Sequence, residues 1–309
     1  MKNNKTLTLV VPIMNEQGNI ITLFNRIVAS LENIISFDLI FVDDGSTDDT
    51  LAEIKKLTKQ YSNVKFLSFS RNFGHQNALR AGLDFATGDA VVSLDGDLQH
   101  PPEVIPQLIE KWQEGYEIVY TLREDDEDTS FFKKKTSSLF YKLINYLSDV
   151  DIDEGSADFR LVDKKVLEVL KDIRENPVFY RGITKWIGFK QFALPYKVEK
   201  RQWGTTKYSV KKMFSFAILG ITSFSVKPLR LSMLFGLFFT FLAFIYAIYA
   251  IWIKLFTNDA IAGWTSLIIL ISFIGGIQLI LLGVLGEYLG KLFMESKNRP
   301  AYIIKEKNI

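Results

Sequence analysis

Two stretches, Leu231–Ile253 and Ala260–Gly286, contain no charged side chain. Each is longer than the ~20 residues a helix needs to cross ~30 Å of hydrocarbon. Soluble helices rarely stay uncharged around the whole circumference over such lengths, so a pair of buried core helices is the weaker alternative. The link Lys254–Ala260 (KLFTNDA) holds one positive and one negative charge. Together the stretches read as a transmembrane hairpin. Lys197–Arg230 carries eight Lys/Arg against one Glu, and Lys291–Ile309 carries five against two Glu. Cytoplasmic flanks are the ones enriched in Lys/Arg, so the expectation is a multi-pass protein of the cell membrane with both termini cytoplasmic. The start, MKNNKTLTLVVPIMNE, has too short an apolar run for a signal peptide. Gly275, Gly276 and Gln278 interrupt the second span in a way that suits helix–helix contact in lipid.

Ahead of the hairpin, Ser209–Lys227 sets Met213, Phe214, Phe216, Ile218, Leu219, Ile221 and Phe224 against Lys211 and Lys212. That pattern predicts an amphipathic helix or helix pair in the headgroup region, with a surface helix of a soluble domain as the alternative. The expected organisation is a catalytic domain over 1–208, an interfacial region over 209–228, two membrane helices within 229–290 and a cytoplasmic tail over 291–309.

Composition removes several functions. The 309 residues carry 37 Lys+Arg against 35 Asp+Glu, a net charge of +2, which argues against a nucleic-acid partner. With no cysteine there is no disulfide, thiolate metal site or cysteine nucleophile, and His75 and His100 are too few for a His-rich metal site. No GxGxxG follows a strand, and GxxxxGK[ST] and GxSxG are absent, which disfavours dinucleotide, P-loop and common hydrolase chemistry.

The first two hundred residues alternate short apolar runs with helical periods. Strands are predicted at Leu7–Pro12, Asp38–Val42, Val64–Phe69, Asp89–Leu94 and Ile118–Leu122. Helices are predicted at Ile20–Leu31, Asp49–Tyr61 (capped by Ser46, Thr47 or Asp48), Gly74–Ala86 and Glu103–Gln113. This rhythm means an α/β fold with a mainly parallel sheet and helices on both faces. Ligands in such sheets bind at the carboxyl ends of strands. There the sequence places Asn15-Glu16, Asp43-Asp44, Arg71-Asn72 and Asp95-Gly96-Asp97 in succession. Two carboxylates on one turn are hard oxygen ligands suited to Mg²⁺ or Mn²⁺, bridging to a substrate diphosphate; the bland alternative is a solvated acidic turn.

Seven motifs occur in order: VVPIMNE (10–16), FVDDGSTDDT (41–50), SRNFGHQNALRAGLDFATGD (70–89), SLDGDLQHPPE (93–103), GSADFRL (155–161), RQWGTTKYS (201–209) and GEYLGKLFMESKNRPAYII (286–304). With the hairpin, they make the chain resemble family 2 glycosyltransferases of the GT-A nucleotide-sugar-binding fold. The narrower likeness is to polyprenyl-phosphate glycosyltransferases, which include dolichol-phosphate mannose synthases and, nearest, the bactoprenol glucosyltransferases. Met14 stands where Tyr is frequent, and Thr206 where Ser is frequent.

The resemblance implies a nucleotide cradle from Pro12, Asn15, Glu16, Asp43 and Asp44, with Arg71 close by. It implies a metal and diphosphate motif at Asp95 and Asp97, with Asp97 the direct ligand and Gln99 beside it. Asp158 resembles the proposed catalytic base, and Arg201 and Lys207 resemble phosphate-binding cations. Two alternatives stay open: Arg71 pairing only with Asp44, and Asp158 only pinning Arg160. His75 and His100 read as structural rather than catalytic. The run Glu124–Asp128 with Lys133–Lys135 reads as a solvated loop or as a flap over the acceptor entrance.

The implied reaction is inverting transfer of a sugar from a UDP-sugar to polyprenyl (undecaprenyl) phosphate, supplying cell-envelope polysaccharide modification. Glucose is the first expectation and N-acetylglucosamine the alternative. A processive polysaccharide synthase would carry Gln-x-x-Arg-Trp, whereas this chain has Arg201-Gln202-Trp203. A homo-oligomer, up to a tetramer, is a further implication of the resemblance.

Overall fold

The computed structural model of the chain describes residues 5–124, 142, 145–151, 153–176, 178–199, 220–256 and 263–309. Arg201, Lys207, most of the amphipathic stretch 209–227 and the charged run 125–135 lie outside the described residues.

Apolar runs become strands where predicted. These are β1 (Thr6–Ile13), β2 (Ser36–Asp43), β3 (Val64–Phe69), β4 (Ala90–Ser93) and β5 (Ile118–Arg123). Three more complete the sheet: β6 (Ser156–Asp163), β7 (Gln191–Tyr196) and β8 (Ile304–Lys307). The order is β7-β5-β6-β4-β1-β2-β3-β8. The β1–β2, β2–β3, β1–β4 and β5–β7 pairs are parallel, and β4–β6, β5–β6 and β3–β8 are antiparallel. From β1 the chain winds outward through β2 and β3, then returns to the other flank of β1 as β4. That reversal leaves a crevice between the carboxyl ends of β1 and β4, the usual ligand position in an open α/β sheet.

Helices α1 (Ile20–Leu31), α2 (Thr50–Gln60), α3 (His75–Phe85) and α4 (Ile105–Gln113, after a 3₁₀ turn at Pro102–Val104) follow the predicted periods. In α1 the apolar stripe Ile20, Leu23, Phe24, Ile27 and Leu31 is buried. It joins Leu9, Val11, Leu39, Phe41 and Val92 in the main core. At α2 the N-cap position is Asp49, whose side chain makes no cap bond, while Asp48 just before it accepts the Thr50 N–H on Oδ1 at 3.1 Å. Two short helices, α5 (Lys164–Asp172) and α6 (Tyr180–Trp186), follow β6.

The chain divides into two units. The sheet unit includes 300–309, so the end of the expected tail is a strand of the sheet. There Tyr302 stacks on Phe69 with ring centroids 5.2 Å apart and donates to Asp84 at 2.7 Å. The second unit holds α7 (Lys227–Phe256) and α8 (Trp264–Ser296). Within it Lys227 Nζ reaches the Ser148 carbonyl at 2.9 Å, and Tyr288 donates to the Ser225 carbonyl at 2.7 Å. Lys227–Ile253 has a mean hydropathy of 2.3 and Phe273–Ser296 of 1.6, so both helices are long and apolar enough to cross a membrane. Phe235, Phe238, Phe241 and Phe244 stay exposed along α7, as lipid-facing side chains would. Of the amphipathic stretch, residues 220–227 are described, and 220–224 are helical.

Candidate active site

The loops that leave β1, β2 and β3 are laced together. The Asn15 N–H donates to Ser46 Oγ at 2.9 Å, and Asn15 Oδ1 accepts the Thr47 N–H at 2.8 Å. Asn15 holds this place with φ 54°, a left-handed conformation that Asn tolerates better than most residues. The Glu16 N–H donates to Thr50 Oγ1 at 3.0 Å, while its carboxylate accepts from Asn19 at 2.6 Å. Pro12 pairs with Val42 near the end of the β1–β2 ladder.

Asp43 and Asp44 are builders of this cradle. Buried Asp43 accepts from the Ser46 N–H at 3.0 Å and from Ser68 Oγ at 2.8 Å. Asp44 takes the N–H groups of Phe73 and Gly74 at 2.6 and 2.9 Å, fixing the entry into α3. Burial pushes the Asp44 carboxyl up, against the pull of those two amides. Arg71 bonds the Asn72 carbonyl at 3.3 Å and lies over the Phe73 ring at 4.3 Å, and Asp44 is occupied by backbone amides. Gly45 is required where it stands, because its φ is +70° and a Cβ there would lie 2.6 Å from the Arg71 carbonyl carbon.

Past β4, the turn Asp95-Gly96-Asp97 crosses above the end of β1. A Cβ on Gly96 would come within 3.0 Å of Ile13, so glycine permits that approach. Buried Leu98 follows with φ 61°, an uncommon conformation for a non-glycine residue and one found at sites the surroundings over-determine. His100, fully buried and stacked on Phe159 at 5.2 Å, accepts the Asp95 N–H on Nδ1 at 3.1 Å. His75 Nε2 approaches Asp95 Oδ1 at 2.8 Å. Loss of part of its hydration works against the charge on His75, whose side chain is still 42% exposed, yet the Asp95 charge and hydrogen bond prevail and raise it to about 9. Burial likewise opposes the charge on Asp95, and the two imidazoles outweigh it, holding the carboxyl well below the usual carboxylate range. Asp97 Oδ1 accepts the Gln99 N–H at 3.1 Å, and the Gln99 carbonyl accepts the Glu199 N–H at 3.3 Å.

Asp158, in the middle of β6, is buried at 6% exposure. Arg181 of α6 grips it with two parallel bonds, Nε to Oδ1 and Nη2 to Oδ2, both 3.0 Å. Gln76 Nε2 adds a third at 3.2 Å, and Arg160 Nη2 stands 3.8 Å from Oδ1. Burial favours the neutral acid, but the Arg181 charge and hydrogen bonds, with Arg160 behind, keep Asp158 well below the usual range. The Asp158–Arg160 pairing is thus present and secondary to Arg181. Burial in turn drops Arg160 to about 10. Arg160 also bonds Thr184 at 2.5 Å and the Ala157 carbonyl at 2.8 Å.

The structure therefore gathers Asp95, Asp158, His75, Gln76 and Arg181 into one connected cluster, and ties Asn15, Glu16, Asp43 and Asp44 into an adjoining one. The sequence reading gave His75, inside the motif 70–89, a structural role, and Arg181 gave no signal beyond an ordinary polar residue. Among the described residues no group of three or more His, Cys, Asp or Glu side chains is placed to hold an ion. Two carboxylates on one turn fit Mg²⁺ or Mn²⁺ that completes its shell with water and substrate phosphate oxygens.

Residues 8–171 match the family model described as Glycosyl transferase family 2, and residues 227–292 match the GtrB C-terminal hairpin. The prophage bactoprenol glucosyl transferase homolog of Escherichia coli K12 is 44% identical over 97% of this chain and 98% of its own length. The bactoprenol glucosyl transferase of Shigella phage SfV is 42% identical over 97% and 98%. The uncharacterized glycosyltransferase YkcC of Bacillus subtilis is 42% identical over 99% and 95%. Among solved structures, a mannosyltransferase from Pyrobaculum calidifontis in complex with GDP-Man and Mn²⁺ shares the fold at TM-score 0.52 and 14% identity, over 72% of this chain and 64% of that one. A glucosyl-3-phosphoglycerate synthase from Mycobacterium tuberculosis, solved with Mn²⁺, UDP-glucose and phosphoglyceric acid, does so at TM-score 0.50 and 18% identity, over 72% and 79%. The chain is a glycosyltransferase of family 2, similar over its full length to bactoprenol glucosyl transferases and carrying the GtrB C-terminal hairpin.

Proposed function

We propose that the protein transfers a sugar, glucose first, from a UDP-sugar to a polyprenyl phosphate at the cytoplasmic membrane face, with inversion at the anomeric carbon. The observation that carries this reading is the polar cluster at the β1/β4 crevice in a chain that also bears two membrane-length apolar helices. The named activity of the E. coli and phage relatives supports glucose and bactoprenol.

The laced loops at Asn15, Glu16 and Asp44 seat the nucleotide, and Asp95 and Asp97 lie at the diphosphate end. A divalent cation bound there supplies Lewis-acid stabilisation of the departing diphosphate. The acceptor's second phosphate pKa is about 6, so it arrives largely ionised and attacks without needing a strong base. Asp158, clamped by Arg181, is a fixed charge that orients the reacting groups. Its low proton affinity makes it a poor base at neutral pH. Arg201 and Lys207 are proposed to offset the charge of the lipid phosphate. The basic flanks of the hairpin support a cytoplasmic side for both termini.

The test mixes membranes containing the protein with radiolabelled UDP-sugars, one at a time, and undecaprenyl phosphate. Metal-dependent transfer of label into the organic extract is the expected result. Label in insoluble polymer would establish a synthase instead, and no transfer from any donor would overturn the assignment.

A further inference from the structure

Gln76 lies within the motif 70–89, the proposed chemistry gives it no role, and its amide is oriented by its neighbours. Asp158 can only accept hydrogen bonds, so the Gln76 atom 3.2 Å from its Oδ2 must be the amide nitrogen. That leaves Gln76 Oε1 on the other side. It is shielded from solvent and, among the described residues, has no hydrogen-bond partner. Buried carbonyl oxygens are nearly always satisfied, and of the amide oxygens left open here, those of Asn19, Gln76, Asn77 and Gln191, the one on Gln76 belongs to a side chain bonded to Asp158, where a donor from outside the chain would satisfy it.

The chemistry of that donor is restricted. A carbonyl oxygen repels phosphate oxygens, whether of the lipid acceptor or of the donor's diphosphate, because both offer only acceptors. A sugar hydroxyl, or the N–H of an acetamido group, satisfies it. The position agrees. Gln76 follows His75, which touches Asp95 at the diphosphate end, and it shares Asp158 with Arg181. The sugar attached to a diphosphate at Asp95 would lie one residue further along this row.

We propose that Gln76 is a specificity-determining residue of the sugar subsite, its Oε1 accepting a hydrogen bond from one hydroxyl of the transferred sugar. Asp158 and Arg181 hold the Gln76 amide in the orientation that presents this oxygen. The inference rests on the UDP-sugar reading above. It predicts that discrimination among sugars is separable from nucleotide binding.

The experiment uses the full-length protein in lipid nanodiscs. Dissociation constants for UDP, for UDP-glucose and for its 2-, 3-, 4- and 6-deoxy analogues are measured by calorimetry on the parent and on Gln76→Met, which keeps length and loses the acceptor. One neutral hydrogen bond corresponds to roughly a three- to tenfold change. One deoxy analogue should therefore bind the parent about three- to tenfold more weakly than UDP-glucose, and Gln76→Met should bind the two equally. UDP itself should bind both proteins alike. A Gln76→Met protein that loses UDP affinity in proportion, or that keeps every deoxy penalty of the parent, overturns the proposal. Should Gln76→Met fail to fold, the parent series decides together with Gln76→Asn, whose shorter reach must erase the same single penalty. A parent that prefers no UDP-sugar over UDP and transfers none would overturn the function itself. A parent that transfers sugar with unchanged coupling at Gln76 overturns only the inference.

Discussion

Replacing Asp158 with Asn asks whether this carboxylate takes a proton or holds a geometry. Its two oxygens accept from Arg181 at 3.0 Å each and from Gln76 at 3.2 Å, and Arg160 stands 3.8 Å away. Burial opposes its charge, and the two guanidinium groups more than compensate, so its folded-state pKa lies below the unfolded value of about 3.9. The stability it contributes is present above that unfolded value and is lost as pH falls through the folded one. Between pH 6 and 8.5 it stays ionised, so the activity defect of Asp158→Asn should be constant across that window. Displacement of the reacting groups by an ångström predicts a loss of about 10²-fold in kcat/KM. Stability should fall as well. Removing one member of a buried pair costs about 3–5 kcal/mol, and the remaining amide oxygen places this change near the lower end. At about 2–4 °C per kcal/mol for a domain of 150–250 residues, a 3 kcal/mol loss lowers the melting temperature by about 6–12 °C. Adding Arg181→Gln removes the stranded cation and should raise the melting temperature above that of the single variant. Circular dichroism melts in detergent and pH–rate profiles in nanodiscs measure both effects. A melting temperature within 2 °C of the parent, or a defect that shrinks tenfold between pH 6 and 8.5, would refute the orienting role and restore that of a base.

Three further outcomes are expected. Gly45→Ala forces φ +70° on a side chain that also meets the Arg71 backbone at 2.6 Å, at a strain of about 1–3 kcal/mol, and should raise KM for the UDP-sugar while leaving the dependence on lipid acceptor unchanged. Chelation should abolish transfer and Mn²⁺ or Mg²⁺ should restore it, whereas Asp97→Asn should stay inactive at metal concentrations that saturate the parent. Deleting residues 300–309 removes the Tyr302–Asp84 bond, the Tyr302–Phe69 stack and the β3–β8 pairing. Hydrogen exchange at Val64–Phe69 should then accelerate at least tenfold, and unchanged protection would show that β8 adds nothing to the edge.

Strands β1 to β5 were legible because most of their residues are buried and so read as short runs dominated by apolar side chains. The same criterion is blind to β6, where buried Asp158 and Arg160 interrupt the apolar pattern and are held by partners from α3 and α6 and by the Ala157 carbonyl of β6 itself. It is equally blind to β7, whose Pro195 a sheet tolerates at an edge, where the observed order places it. The acidic turn at Asp95 and Asp97 could be found by its position after a strand. Its supports could not, since the approach of His75, the stacking of His100 and the left-handed Leu98 depend on packing between distant segments. Asp158 was found by resemblance alone, and its clamp Arg181 by neither route, because 23 residues of chain separate a pair that only the α6 position brings together.

The antiparallel β8 strand imposes a timetable. Phe66 donates its N–H to Asn308, 242 residues further along the chain. At about 5–20 residues per second, ribosomes take roughly 12–48 s to make that intervening length. Throughout this interval the outer hydrogen-bonding groups of β3 lack their partner, while both greasy helices are being delivered to the bilayer. A nascent chain that stalls within them keeps a sticky border, of the kind that invites pairing with other polypeptides. Translation speed and insertion efficiency are therefore expected to set how much of this enzyme completes its sheet before aggregation competes.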